Sequence, residues 1–462
     1  MGAISHSNVA SSLLEELSDA PLDSLAINLL SKPSIPRAVT LLLSGISENF
    51  LAETECESLS KDEFISLREQ TFTNNTTLRV GDVTYLPAEG RATILADIEG
   101  DLRTLLMLLY KGDLLERLKD PSRSEHLIFL GDFIDRSTTS LAFLEFILVL
   151  RRQFPHQIHI LPGNHELSPG VQHKLGGFFR EIEEADMSVS KEDWKYLRWC
   201  SWFNDYIRGV TGPFDDTFWV YDSEQRLAPR RAILEKLKIE RAKSSTMLPD
   251  EEPEKHTELC DVEFHTSEAL SLRNRYRVRV SKLYLWELAQ TYFFSLPKLV
   301  VGESFVATHG LPPLIPDNEL AAVQDSPEVF FQAIAKTCKL PDETRRNTYN
   351  SMVWSDIHPP DAEKDPFPLP VQFNTTRREG YLMTAEVVQK FLKATGRTCL
   401  LRGHQHFLNP ANHLIGSESD GWIYTINSSR QHPLCTAGSI NFNRSGITVD
   451  VIDLHQYFKR ST

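Results

Sequence analysis

The chain has 462 residues, 41% of them hydrophobic and 24% charged, a composition that supports a sizeable buried core and excludes a fibre or a disordered tail. Its 49 Lys and Arg stand against 63 Asp and Glu for a net charge of −14, which argues against a nucleic-acid partner, because that needs a basic face. No apolar run approaches the ~20 residues that cross a bilayer, no secretory leader is visible, and six scattered cysteines without a CxxC pair fit a reducing, cytoplasmic setting.

In chain order, residues 8–70 read as short helices. Apolar residues recur at helical spacing in Leu13, Leu14 and Leu17 and in Val39, Leu42 and Leu43, while Pro21, Pro33 and Pro36 break the runs. This assigns 1–77 to a helical N-terminal segment. Beyond Leu78 short β-type runs take over, each closed by a Gly/Asp-rich turn: Ala92–Ala96, His126–Leu130, Gln157–Leu161, Ser304–Ala307 and Thr398–Leu401. Polar residues follow each run at once, where strand C-termini project side chains into a crevice, so the expected class is α/β. Residues 167–282 are rich in helix formers and read as a mostly helical insertion, which divides a catalytic domain into 78–166 and 283–462. The insertion holds a basic amphipathic run (226–243), a polar linker (244–256) and the alternating arginines Arg273, Arg275, Arg277 and Arg279. On one face of a strand that row either meets an acidic or phosphorylated peptide or is simply solvated.

The residues just after the β-type runs carry the chemistry. They are ADIEGD (96–101), GDFIDR (131–136), GNHE (163–166), THG (308–310) and RGHQH (402–406). Borderline cations take carboxylate oxygen with imidazole nitrogen, and a two-metal centre needs one carboxylate that can bridge. Asp97, Asp132, Asn164, His309 and His404 supply such a set. Singly, an Asp after a strand is more often a helix cap and a lone His a packed residue; together, in this order, they mark a site.

With these motifs, and with MVWSD (352–356), TAEVVQKFL (384–392) and LYLWELAQTYFFSLPKLVV (283–301), the chain resembles the serine/threonine-type phosphoprotein phosphatases, a branch of the calcineurin-like metallophosphoesterases. The resemblance implies a β-sandwich flanked by helices and dephosphorylation of phosphorylated protein by a hydroxide held between two divalent ions. It implies that Asp97 binds the first ion, Asp132 bridges, and Asn164, His309 and His404 bind the second. His165 would protonate the leaving oxygen, oriented by Asp135. Arg136 and Arg377 would hold the phosphoryl oxygens, with Arg378 adjacent to the latter.

Two departures qualify the resemblance. Glu99 stands where the family has a first-metal histidine; as a ligand it favours Mn²⁺ or Mg²⁺ over Zn²⁺, with Fe also compatible. RGHQH ends in His406, which the family generally lacks and which could return the missing imidazole. The insertion is the expected recognition element. Rival readings are a dinucleoside polyphosphate hydrolase of the diadenosine tetraphosphatase type and a non-catalytic scaffold that kept the fold. The style of the additions also resembles bacterial relatives, some of which are delivered into host cells.

Overall fold

The computed structural model describes residues 34–120, 123–167, 177–184, 197, 281–282, 284–340, 342–358, 369–406, 413–430 and 434–455. Residues 1–33 and nearly all of the expected insertion, including its basic run, polar linker and arginine row, lie outside the described residues.

The described strands, in chain order, are β1 (Leu78–Val80), β2 (Val83–Tyr85), β3 (Gly90–Leu95), β4 (Glu125–Phe129), β5 (Ile158–Ile160), β6 (Leu299–Val301), β7 (Phe305–Ala307), β8 (Asp356–Ile357), β9 (Val371–Phe373), β10 (Tyr381–Met383), β11 (Cys399–Arg402), β12 (Leu414–Ser417), β13 (Gly421–Thr425), β14 (Thr436–Asn443) and β15 (Gly446–Asp453). They form a seven-stranded sheet (β1-β2-β6-β7-β11-β13-β12), a five-stranded sheet (β15-β14-β3-β4-β5) and a small sheet (β8-β10-β9). Strands β3, β4 and β5 run parallel, as do β7, β11 and β13. Their inner residues meet in one core: Ile94, Ile128 and Leu161 from one sheet pack with Phe305, Leu401 and Ile426 from the other. This is a two-sheet sandwich, and it explains why the runs at 92–96, 126–130 and 398–401 are almost wholly apolar: parallel strands covered on both faces have no polar face to show.

Helices cover the outer faces. The greasiest stretch of the sequence forms the helix Ser140–Gln153, buried continuously from Ser140 to Leu150. Its one charge there, Glu145, is matched by Arg37, whose Nε lies 2.6 Å from Glu145 Oε2, as a buried charge requires. Arg37 belongs to the helix Ile35–Ser58. The expectation that Pro36 breaks this region is corrected here: Pro36 sits in the first turn, where its missing N–H has no helical partner to lose. Ser34 caps that helix and Ser60 caps the next, Lys61–Asn74, through a reciprocal capping box with Glu63.

Candidate active site

Five parallel strand ends deliver the chemistry-bearing residues: β3 leads to Asp97, β4 to Asp132, β5 to Asn164, β7 to His309 and β11 to His404. Three of these strands belong to one sheet and two to the other, so the site is built from loops that follow strands of both sheets. The loops after β3 and β4 are tied together by backbone bonds from Asp97 N to Gly131 O (3.0 Å), Glu99 N to Asp132 O (2.9 Å) and Gly100 N to Phe133 O (2.9 Å). The left-handed backbone region is costly for residues with a Cβ, of order 1–3 kcal/mol each. Among the described non-glycine residues that adopt it are Asp97, Glu99, Asp132, Asp135, Arg136, Arg378 and His404. Strain is thus concentrated around the site. Gly163 is required by close approach, since a Cβ there would strike the Asp132 side chain and backbone N.

Asp132, His309 and His404 offer ligand atoms all within 4.8 Å of one another, and all three are buried. His309 donates from Nδ1 to Leu130 O at 2.8 Å and turns Nε2 toward Asn164 Oδ1 at 3.0 Å and Asp132 Oδ1 at 3.5 Å. His404 presents Nδ1 to the same Asn164 oxygen at 2.8 Å. Burial, with His309, Arg377 and Arg402 nearby, holds the His404 imidazole well below its usual range, so the ring is neutral and able to donate a lone pair. Both imidazoles thus converge on one amide oxygen beside a carboxylate, and one carboxylate, one amide oxygen and two imidazoles suit a borderline divalent ion. The residues therefore fit a metal.

A second group surrounds Asp97. The Asp97 Oδ2 atom accepts from His404 N at 2.7 Å, and Oδ1 lies 3.4 Å from His406 Nε2. Burial opposes its charge, but the His406 hydrogen bond, the facing His309 and the His404 N–H hold the carboxyl well below the usual range. Glu99, 2% exposed, directs Oε1 to the Arg136 guanidinium.

His165 is also buried, with Nδ1 2.8 Å from Asp135 Oδ2 and Nε2 3.8 Å from Asp132 Oδ2. Burial disfavours its charge, but Asp132 and Asp135 outweigh it and push the imidazole up to about 9. The other Asp135 oxygen accepts from Phe178 N at 2.6 Å, which fixes the carboxylate. Arg377 lies at the opposite side in sequence, its Nε 3.0 Å from Asp356 Oδ2. The arrangement offers cation donors, a protonated imidazole with an orienting carboxylate, and two guanidinia.

Residues 90–224 match the family model of the calcineurin-like phosphoesterases. Over that stretch the chain is similar to the calcineurin-like phosphoesterases. It is similar to the serine/threonine-protein phosphatase rdgC of Drosophila melanogaster, 32% identical over 134 residues, covering 28% of this chain and 19% of that one. It is also 32% identical over 127 residues to the serine/threonine-protein phosphatase 4 catalytic subunit of Saccharomyces cerevisiae, covering 28% of this chain and 36% of that one. The match to serine/threonine-protein phosphatase SIT4 of Candida albicans is 32% over 110 residues, 24% of this chain and 33% of that one. The chain thus spans well under half the length of these relatives.

Four residues around the site escaped the sequence reading. Glu166 accepts backbone N–H groups from Gly163, Asp132, Phe133 and Ile134, at 2.7, 2.9, 3.0 and 3.1 Å, and so sets the loop that carries Asp132. Asp356, from MVWSD, holds Arg377 and Asn374 with Oδ2, both at 3.0 Å, and faces His404 Nε2 with Oδ1 at 3.6 Å. Gln405 grips Ile357 through both its N–H and its carbonyl. Arg402, fully buried, donates to Gly310 O and Gln405 Oε1. The signal available was their place inside motifs already singled out.

Proposed function

We propose that the protein is a metal-dependent phosphatase whose substrates are phosphorylated proteins. The observation that carries the reading is the buried convergence of Asp132, Asn164, His309 and His404 beside the His165–Asp135 pair. Asp132, Asn164, His309 and His404 would hold one divalent cation; Asp97, Asp132 and His406 would hold a second. Such cations supply Lewis acidity and lower the pKa of bound water, which makes a nucleophile near neutral pH. Mn²⁺ is the cation proposed, with Fe, Zn and Mg compatible with the same oxygen and nitrogen donors.

Within that site the Asp135 carboxylate, hydrogen-bonded to Nδ1, favours the protonated His165 imidazole, which gives its proton to the leaving oxygen. Asp135 orients the ring and sustains its charge. Arg377, braced by Asp356, and Arg136, braced by Glu99, bind phosphoryl oxygens, for which planar guanidinia are suited. The engagement of Glu99 with Arg136 favours His406, rather than Glu99, as the second imidazole-type contribution beside Asp97. His406→Ala should therefore lower cation stoichiometry from two toward one, and Glu99→Gln should leave it at two. Full retention of both cations in His406→Ala would remove His406 from the set.

The His165–Asp135 pair and the converging cation-ligand side chains count against a scaffold that has lost catalysis. Phosphopeptides compared with diadenosine tetraphosphate, each with added Mn²⁺, test the substrate class. Preferential turnover of the phosphopeptide is expected; preference for the dinucleotide would overturn the reading.

A further inference from the structure

The hairpin that carries Arg377 continues into an apolar surface. Strands β9 and β10 pair antiparallel, with Tyr381 opposite Phe373 and Met383 opposite Val371. Residues two apart share a face, as do directly opposed pairs, so these four side chains form one strip. At its inner end Val371 and Met383 line a cavity of about 330 Å³ together with Pro312, Ile315, Val388 and Phe391. At its outer end Phe373 is 54% and Tyr381 36% exposed, which is unusual for neighbouring aromatic side chains in a folded chain. Arg377 lies in the turn beyond that pair. The strip thus leads from the cavity to the phosphate-binding arginine.

The backbone points the same way. Strand β9 is the edge of its sheet. Thr384 N donates to Pro370 O at 3.0 Å and Asn374 N to Gly380 O at 3.1 Å, so residues 370, 372 and 374 turn their polar groups toward β10. Those of Val371 and Phe373 then face outward, and among the described residues no strand pairs with them. Such an edge accepts an extended chain, with main-chain bonds giving affinity and a side-chain pocket giving selectivity.

We propose that this face docks the substrate's own polypeptide, as an extended phosphopeptide whose phosphate meets Arg377 and whose apolar side chain enters the cavity. Continuity with Arg377 selects this occupant over a second copy of the chain or a separate small ligand. Two residue steps separate the aromatic pair from the cavity-lining pair and the turn adds more, so at about 3.4 Å per residue the apolar side chain falls roughly three to five positions from the phosphorylated one. The proposal rests on the phosphoprotein reading above.

The test compares phosphopeptides that differ only in Leu against Asp, placed at those positions on either side of the phosphoresidue. The wild-type protein is set beside Phe373→Asp, an exposed position, and Ile315→Asp at the cavity. The expected result is a preference for Leu of about tenfold in kcat/KM, the factor that follows from one apolar side chain leaving water, expressed in KM and lost in both variants. Equal turnover of the two peptides, or a preference that survives both substitutions, overturns docking alone. Failure of every phosphopeptide while p-nitrophenyl phosphate is hydrolysed overturns the phosphoprotein reading, and docking with it. A wild-type dimer that Phe373→Asp converts to monomer in sedimentation assigns the face to a second copy and also overturns the proposal.

Discussion

Asp135→Asn isolates the acid step from everything else the site does. Asp135 is fully buried and binds His165 Nδ1 at 2.8 Å; the amide keeps the size but removes the charge. His165 is held at about 9 against the pull of burial by Asp132 first and Asp135 second. Loss of one adjacent carboxylate lowers such a pKa by about two. The protonated fraction at pH 8 then falls from about nine-tenths to about one-tenth, close to tenfold. A leaving alkoxide needs that proton and an activated phenolate does not. The assay is therefore kcat against pH for a phosphoserine peptide and for p-nitrophenyl phosphate. The peptide reaction should drop about tenfold at pH 8, with its alkaline limb moving to lower pH, while the aryl ester changes much less. Equal losses for both substrates, with the limb unmoved, would refute the acid assignment.

Two further predictions concern stability. His126 and His159 are adjacent and buried on β4 and β5, with His126 Nδ1 3.1 Å from His159 Nε2; burial drives His126 down to about 4 and His159 well below the usual range. Each folded-state pKa lies below the unfolded one, so their contribution is present above about 6.5 and is lost as pH falls. For His126 alone that is about 3 kcal/mol by pH 4; Tm should fall more steeply between pH 6.5 and 4.5 than in His126→Asn. Arg37→Met strands Glu145, which burial already pushes up to about 7 despite Arg37. Removing one partner of a buried pair costs about 3–5 kcal/mol, and the loss should be larger at pH 8, where the unpaired carboxylate must ionise or hold a proton, than at pH 6. Urea unfolding at both pH values checks this.

The strands that feed the site were legible because a covered parallel strand is continuously apolar and ends abruptly in Gly and Asp. The runs ending at Ala96, Leu130, Leu161, Ala307 and Leu401 each overlap a strand of the sandwich. What joins the motifs was not legible. Asp356 reaches Arg377 across 21 positions and His404 across a longer interval, and no periodicity records such a contact. The Glu99–Arg136 pair is hidden for another reason: it forms only when the β3 and β4 loops fold together. Pro36 misled because its effect depends on position within a helix, and only the Ser34 cap defines that position. The hairpin β9–β10 has strands of three residues each, too short for alternation to stand out.

Cation content and phosphopeptide turnover, measured together on wild type and Asp132→Asn, test the central claim most directly. Asp132 is the carboxylate that faces both His309 and His165 and belongs to the candidate cation-ligand set. The wild type should hold two divalent cations and hydrolyse the peptide, and Asp132→Asn should lose at least one cation and nearly all turnover while remaining folded. Peptide hydrolysis by cation-free protein, or undiminished hydrolysis by Asp132→Asn, would contradict the account.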